Sequence, residues 1–108
     1  MQHISATQLA RHLAEAADST PPLLLDVREP WEFELCHIAD SQPLPMNSLP
    51  GRLAELDPQR PTVVICHHGH RSLQVAAYLE RNGFTEVTNL TGGVAAWAQQ
   101  VQPTMPQY

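Results

Sequence analysis

Lysine is absent from this 108-residue chain, and all six of its formal cations are arginines. Eleven carboxylates outnumber them and leave a formal net charge of -5. No basic stripe runs along the sequence, which argues against nucleic acid or an anionic membrane surface as a partner. Long hydrophobic runs are missing as well. Stretches such as Leu23-Leu24-Leu25 and Val63-Val64-Ile65 fall far short of the roughly 20 residues that a membrane span needs. Met1-Gln2-His3-Ile4 has neither the charged lead nor the apolar stretch of a signal peptide, so a cytoplasmic, reducing setting is the expectation. Cysteine is scarce, with only Cys36 and Cys66, and the pair does not read as a disulfide framework. There is no internal repeat and no low-complexity block.

What the chain does contain is enough apolar material for one core. At 43% apolar, wholesale disorder is excluded, and residues 1–101 read as a single domain. Residues 102–108 are polar, carry two prolines and read as a loose tail. Ser5-Ala6-Thr7-Gln8 has the form of a capping box, followed by apolar residues at helical spacing over 7–16. Pro21-Pro22 ends that pattern. A buried strand is expected over 23–27, a short helix opened by proline over 30–35, and a brief strand at His37-Ile38. A further helix is expected over 49–56. Thr62-Val63-Val64-Ile65 is β-branched and bounded by turn signals, as suits a central strand. A helix over 72–81 stopped by Asn82-Gly83, a strand over 87–90, the turn Thr91-Gly92-Gly93 and a helix over 94–101 complete the pattern. Strands alternating with helices predict an α/β fold, a small parallel sheet with helices on both faces. Trp31, Phe33 and Trp97 are expected in the core.

The chemistry concentrates after the central strand. Cys66 stands between that strand and a helix, where the helix dipole and unpaired N–H groups favour a thiolate, the nucleophilic form. Only His67, His68, Gly69 and His70 separate it from Arg71, so the loop must curl, and Gly69 gives the backbone room to do so. Its N–H groups can then converge on the sulfur as an anion-binding nest, with Arg71 and the Ser72 hydroxyl adding donors. Such a cradle serves a covalent nucleophile with built-in anion stabilisation.

Asp26-Val27-Arg28-Glu29-Pro30-Trp31-Glu32-Phe33, His37-Ile38, Cys66 through Ser72, Gly83-Phe84 and Asn89 through Trp97 resemble the rhodanese family in order and spacing. The resemblance runs from about Ser5 to Trp97. It implies a rhodanese-like fold and a sulfurtransferase, in which a cysteine takes sulfane sulfur from a donor, becomes a persulfide and passes the sulfur to a thiophilic acceptor. By the resemblance Cys66 is the catalytic nucleophile and His67, His68, Gly69, His70, Arg71 and Ser72 form the substrate-binding loop. Asp26 and Arg28 match a strand-end pair that supports the loop. No cofactor and no metal are implied; the partners are a small-molecule or protein sulfur donor and a thiol or cyanide acceptor. The chain departs from the family pattern at Cys36, where glycine is usual, and at Asp40-Ser41, where Gly-Ala is common.

Other readings compete at several of these positions. Cys36 is either a small buried residue or a resolving thiol for Cys66. His67, His68 and His70 are either pocket residues or ligands of a metal, for which their spacing is too tight without outside ligands. Asp26 and Arg28 are either an ion pair or direct substrate contacts. For the whole chain, one rival is a non-catalytic binding or sensing module, against which an intact Cys66 and Arg71-Ser72 weigh. The other is a cysteine-dependent phosphatase. Related phosphatases carry five residues between cysteine and arginine, and this loop has four.

Overall fold

The structure, a computed structural model, describes residues 1–15 and 20–108. Five parallel strands form one sheet in the order β1-β5-β4-β2-β3, with β1 Gln2–Ile4, β2 Leu23–Asp26, β3 Gln42–Pro43, β4 Thr62–Ile65 and β5 Val87–Leu90. β4 is central and, like β2, buried along its whole length, as a parallel sheet covered on both faces requires. Alternation along these strands divides the interior in two. Leu23, Leu25, Val64 and Cys66 join Val75, Ala76 and Leu79 of helix α4 (His70–Arg81) on one face. Leu24, Val63 and Ile65 meet Leu9 of α1 (Ala6–Glu15) with Val94, Trp97 and Ala98 of α5 (Gly93–Gln100) on the other.

Local chemistry sets most boundaries. Ser5 and Gln8 form the reciprocal capping box, since the Ser5 N–H donates to Gln8 Oε1 at 2.9 Å and the Gln8 N–H to Ser5 Oγ at 3.2 Å. The expected end of this helix, Ala16, lies outside the described residues. Helix α2 (Pro30–Leu35) carries proline in its first turn, where its missing N–H costs nothing. Gly83, at φ 89°, closes α4 in a conformation that side chains resist.

Three expectations need correction. His37-Ile38 is not a strand. The Ile38 carbonyl accepts both the Ser41 N–H and its hydroxyl, and Asp40 turns the chain at φ 66°, so the backbone groups go into a turn. The sheet edge is taken instead by Gln42–Pro43, an edge position where proline is tolerated. The expected helix over 49–56 is broken into α3 (Leu49–Arg52) between two 3-10 turns, Met46–Ser48 and Leu53–Glu55. Pro50 and Gly51 sit inside it, and Arg52 leaves helical geometry at φ -121°, while Leu49 and Leu56 still reach the core. Trp31 is 60% exposed rather than buried, and Phe33 stacks on His37. Residues 102–108 make defined contacts. Met105 is buried beside Trp97, and the Tyr108 hydroxyl is hydrogen-bonded to two side chains next to the Cys66 loop.

Candidate active site

The loop from Cys66 leaves the carboxyl end of the central strand, the usual place for a ligand in an open parallel sheet. Helix α4 begins at His70, two residues earlier than its periodicity suggests, so Arg71 and Ser72 belong to its first turn. Gly69 precedes it at φ 102°, and its N–H donates to Cys66 Sγ at 3.0 Å. A side chain there would be strained by the backbone angle and would press on the backbone of Gly92. The Cys66 thiol donates to Ser72 Oγ at 3.3 Å. Of the nest expected from the sequence, the Gly69 amide is the one that bonds the sulfur.

Two carbonyls of the loop are held from behind. Val94 N–H donates to Cys66 O at 2.9 Å and Ala95 N–H to His67 O at 3.0 Å, so free N–H groups at the start of α5 bind the loop's backbone. Across a trans peptide the next N–H points the opposite way, which turns the His67 and His68 amides away from α5. Gly93 makes this approach possible, because a Cβ at that position would collide with the Cys66 and His67 carbonyls. In sequence Gly92-Gly93 reads as a turn only, and nothing local signals the seat that it forms for the loop.

Arg71 is committed to a partner the sequence reading did not name. Its Nη1 and Nη2 donate to Glu32 Oε1 and Oε2 at 2.7 and 2.9 Å, a two-pronged pair between α4 and α2. Glu32 is nearly buried, and its carboxylate also accepts the Glu29 N–H and the Tyr108 hydroxyl. Arg71's hydrogen bonds hold the Glu32 carboxyl down at about 2, outweighing the opposing effect of burial. Glu32 in turn raises the pKa of Arg71.

Asp26 and Arg28 come together as a fully buried pair, with Nε and Nη2 of Arg28 on the carboxylate at 2.8–3.1 Å. The remaining guanidinium donors reach the carbonyls of Glu32 and Cys36 and the Tyr108 oxygen. Burial opposes the Arg28 charge, but the bonds to Asp26 and Tyr108 prevail and its pKa is raised. With no donor left over, Arg28 ties β2 to α2, the helix that presents Glu32 to Arg71. The alternative of direct substrate contact finds no support here.

The histidines divide. His67 is half-buried and stacks on Tyr108, with ring centroids 4.0 Å apart, while His68 and His70 are exposed. Burial lowers the pKa of His67, and the neighbouring His68 adds to the effect. Among the described residues, no group of three or more His, Cys, Asp or Glu side chains is placed to hold a metal ion. Cys36 and Cys66 are both free and buried, and they belong to the two separate core clusters.

Known proteins with this arrangement are close in sequence and in shape. The family described as rhodanese-like domain matches residues 5–100. A sulfurtransferase of Allochromatium vinosum is 38% identical over 95% of this chain and 94% of its own length. The thiosulfate sulfurtransferase GlpE of Stutzerimonas stutzeri is 40% identical over 78% of this chain and 77% of its own. The crystal structure of a rhodanese-like domain protein from Staphylococcus aureus superposes with a TM-score of 0.82 at 32% identity, covering 90% of this chain and 91% of that one. By match and by fold, the chain belongs to the rhodanese-like domain family and is a sulfurtransferase of that type.

Proposed function

We propose that Cys66 is the sulfur carrier, moving sulfane sulfur from thiosulfate or a persulfide to a thiophilic acceptor, cyanide or a thiol. The Cys66 thiolate attacks the outer sulfur of the donor; the donor's S–S bond breaks, and sulfite or a thiolate leaves with the electron pair. The resulting persulfide holds the sulfur until the acceptor's nucleophilic atom attacks it. Thiocyanate or a new persulfide then departs, and the Cys66 thiolate returns. Electrons balance without an outside oxidant, so the reading requires no cofactor. It places the reaction in the cytoplasm, on residues 1–101 acting as one domain, with a small molecule or a protein as donor and acceptor.

The observation that carries this reading is the sulfur's setting. Cys66 Sγ stands at the end of the central strand, facing the Gly69 N–H at 3.0 Å and the Ser72 hydroxyl at 3.3 Å. A donor fixed in advance on a developing anion, here the Gly69 N–H, favours its formation. Arg71 adds positive charge nearby, but its terminal nitrogens are spent on Glu32. In this reading it shapes the loop more than it grips a donor, which weighs against phosphate chemistry. His67, His68, Gly69 and His70 form the wall a donor passes, and Asp26 with Arg28 supports it from beneath. A matrix of both donors against both acceptors tests the proposal. Thiosulfate with cyanide should yield sulfite and thiocyanate in equal amounts, and Cys66→Ala should yield neither. Turnover retained in Cys66→Ala would remove Cys66 from the role.

A further inference from the structure

Behind Cys66 lies a chain of polar side chains that the transfer reaction, as drawn above, does not use. Cys66 Sγ–H donates to Ser72 Oγ at 3.3 Å, and Ser72 Oγ–H donates to Asn89 Oδ1 at 2.5 Å. Asn89 Nδ2 stands 3.5 Å from His3 Nδ1, on the neighbouring strand where His3 and Asn89 are register partners. Ser72 is fully buried and Asn89 nearly so, whereas His3 is exposed. Water is therefore excluded from the middle of the chain and available at its far end.

A hydroxyl has one proton to give. With that proton on Asn89, Ser72 turns a lone pair toward the sulfur, which suits a thiol and repels a thiolate or persulfide anion. Resting on Cys66 as carrier, we propose that Asn89 is a positioning residue for sulfur transfer, directing the Ser72 proton away from a thiol and toward an anionic sulfur. A half-turn of the Asn89 amide about Cβ–Cγ exchanges its oxygen and nitrogen. Nδ2–H then donates to Ser72 Oγ, Ser72 Oγ–H donates to the sulfur, and Oδ1 accepts from a His3 ring protonated on Nδ1. Every donor in the chain reverses, and every buried polar atom keeps a partner in both states. No proton crosses the amide. The thiol proton leaves to solvent, and His3 changes tautomer by exchange with water. Asn89 follows Ser72 by 17 residues; its place on β5, between β1 and β4, is what sets it behind Ser72.

A double-mutant cycle on sulfur uptake from thiosulfate, read by intact mass, tests this. Leucine matches the shape of asparagine but neither donates nor accepts. Asn89→Leu should slow uptake about tenfold while Ser72 is present, as loss of an aligned donor to a developing anion does. In a Ser72→Ala background the same substitution should change the rate less than twofold. Equal losses in both backgrounds, or no loss in either, would reduce Asn89 to packing. The native protein gives a second readout that needs no variant at Asn89. Nitrogen-15 shifts of His3 at pH 8 should move Nδ1 from acceptor to donor when Cys66 is loaded with sulfur, and not in Ser72→Ala. A His3 ring indifferent to loading overturns the proposal. Absence of any sulfur on Cys66 in the native protein overturns the carrier reading instead, so the two failures are distinct.

Discussion

Glu32 and Arg71 illustrate how a single pair connects the loop to the rest of the domain. Removing the guanidinium leaves a carboxylate, 4% exposed, without its strongest partner. Arg71→Ala should therefore cost about 1–3 kcal/mol of stability, and Glu32→Gln added to it should restore part of that, by urea unfolding. Turnover in Arg71→Ala should fall about tenfold or more, because the loop loses both a fixed charge and its tether. The pH dependence has a definite sign. Glu32 is held at about 2 against an ordinary 4.5, so its contribution is complete above pH 4.5 and is lost as pH falls toward 2. The slope of unfolding free energy against pH in that window should be shallower in Glu32→Gln. The strand–loop–helix junction at Cys66 through Ser72 was legible in the sequence because its residues are consecutive and Gly69 marks the curl between strand and helix. Glu32 stands 39 residues away from Arg71, and only the packing of α2 against the loop brings them together.

At the scale of elements, α4 and α5 serve the loop from two sides, one through Gly69 and Ser72 and one through its first-turn amides. Gly93→Ala should disturb that seat more than its single methyl suggests, since the added carbon meets two carbonyls and φ is 59°. A loss of at least about 1–2 kcal/mol is expected, with turnover falling alongside it. Ser5→Ala offers the contrast. It removes half a capping box whose hydrogen bonds stay within residues 5–8, should cost about 0.5–2 kcal/mol, and should leave turnover per folded molecule unchanged. Helices α1, α2, α4 and α5 and the three buried strands were legible because each carries its own signal in caps, prolines, glycines or β-branched runs. β1 and β3 were not. They are three and two residues long, and their pairing is decided by distant partners in β5 and β2 rather than by any local pattern.

Taken as a whole molecule, the domain carries a formal net charge of -5 and sets one committed arginine and a half-buried histidine at its Cys66 loop. Residues 102–108 contribute as well, because Tyr108 covers His67 and bonds both Arg28 and Glu32. Composition alone gives no sign of these contacts, which rest on one buried methionine and one bonded phenol. His67 is pushed toward its neutral form, so its attraction for a dianionic donor should appear only in more acidic solution than an ordinary histidine would give. With thiosulfate, replacing His67 by glutamine should alter the acidic side of the pH–rate profile and leave the profile for an uncharged persulfide donor unchanged. The account rests above all on the identity of the sulfur carrier, and intact-mass spectrometry addresses it directly. After incubation with thiosulfate and removal of excess donor, the native chain should gain one sulfur atom, about 32 Da, with peptide mapping placing it on Cys66. Cys66→Ser should gain none, and a Cys66→Ser protein that takes up the same mass, on Cys36 or elsewhere, would contradict the account.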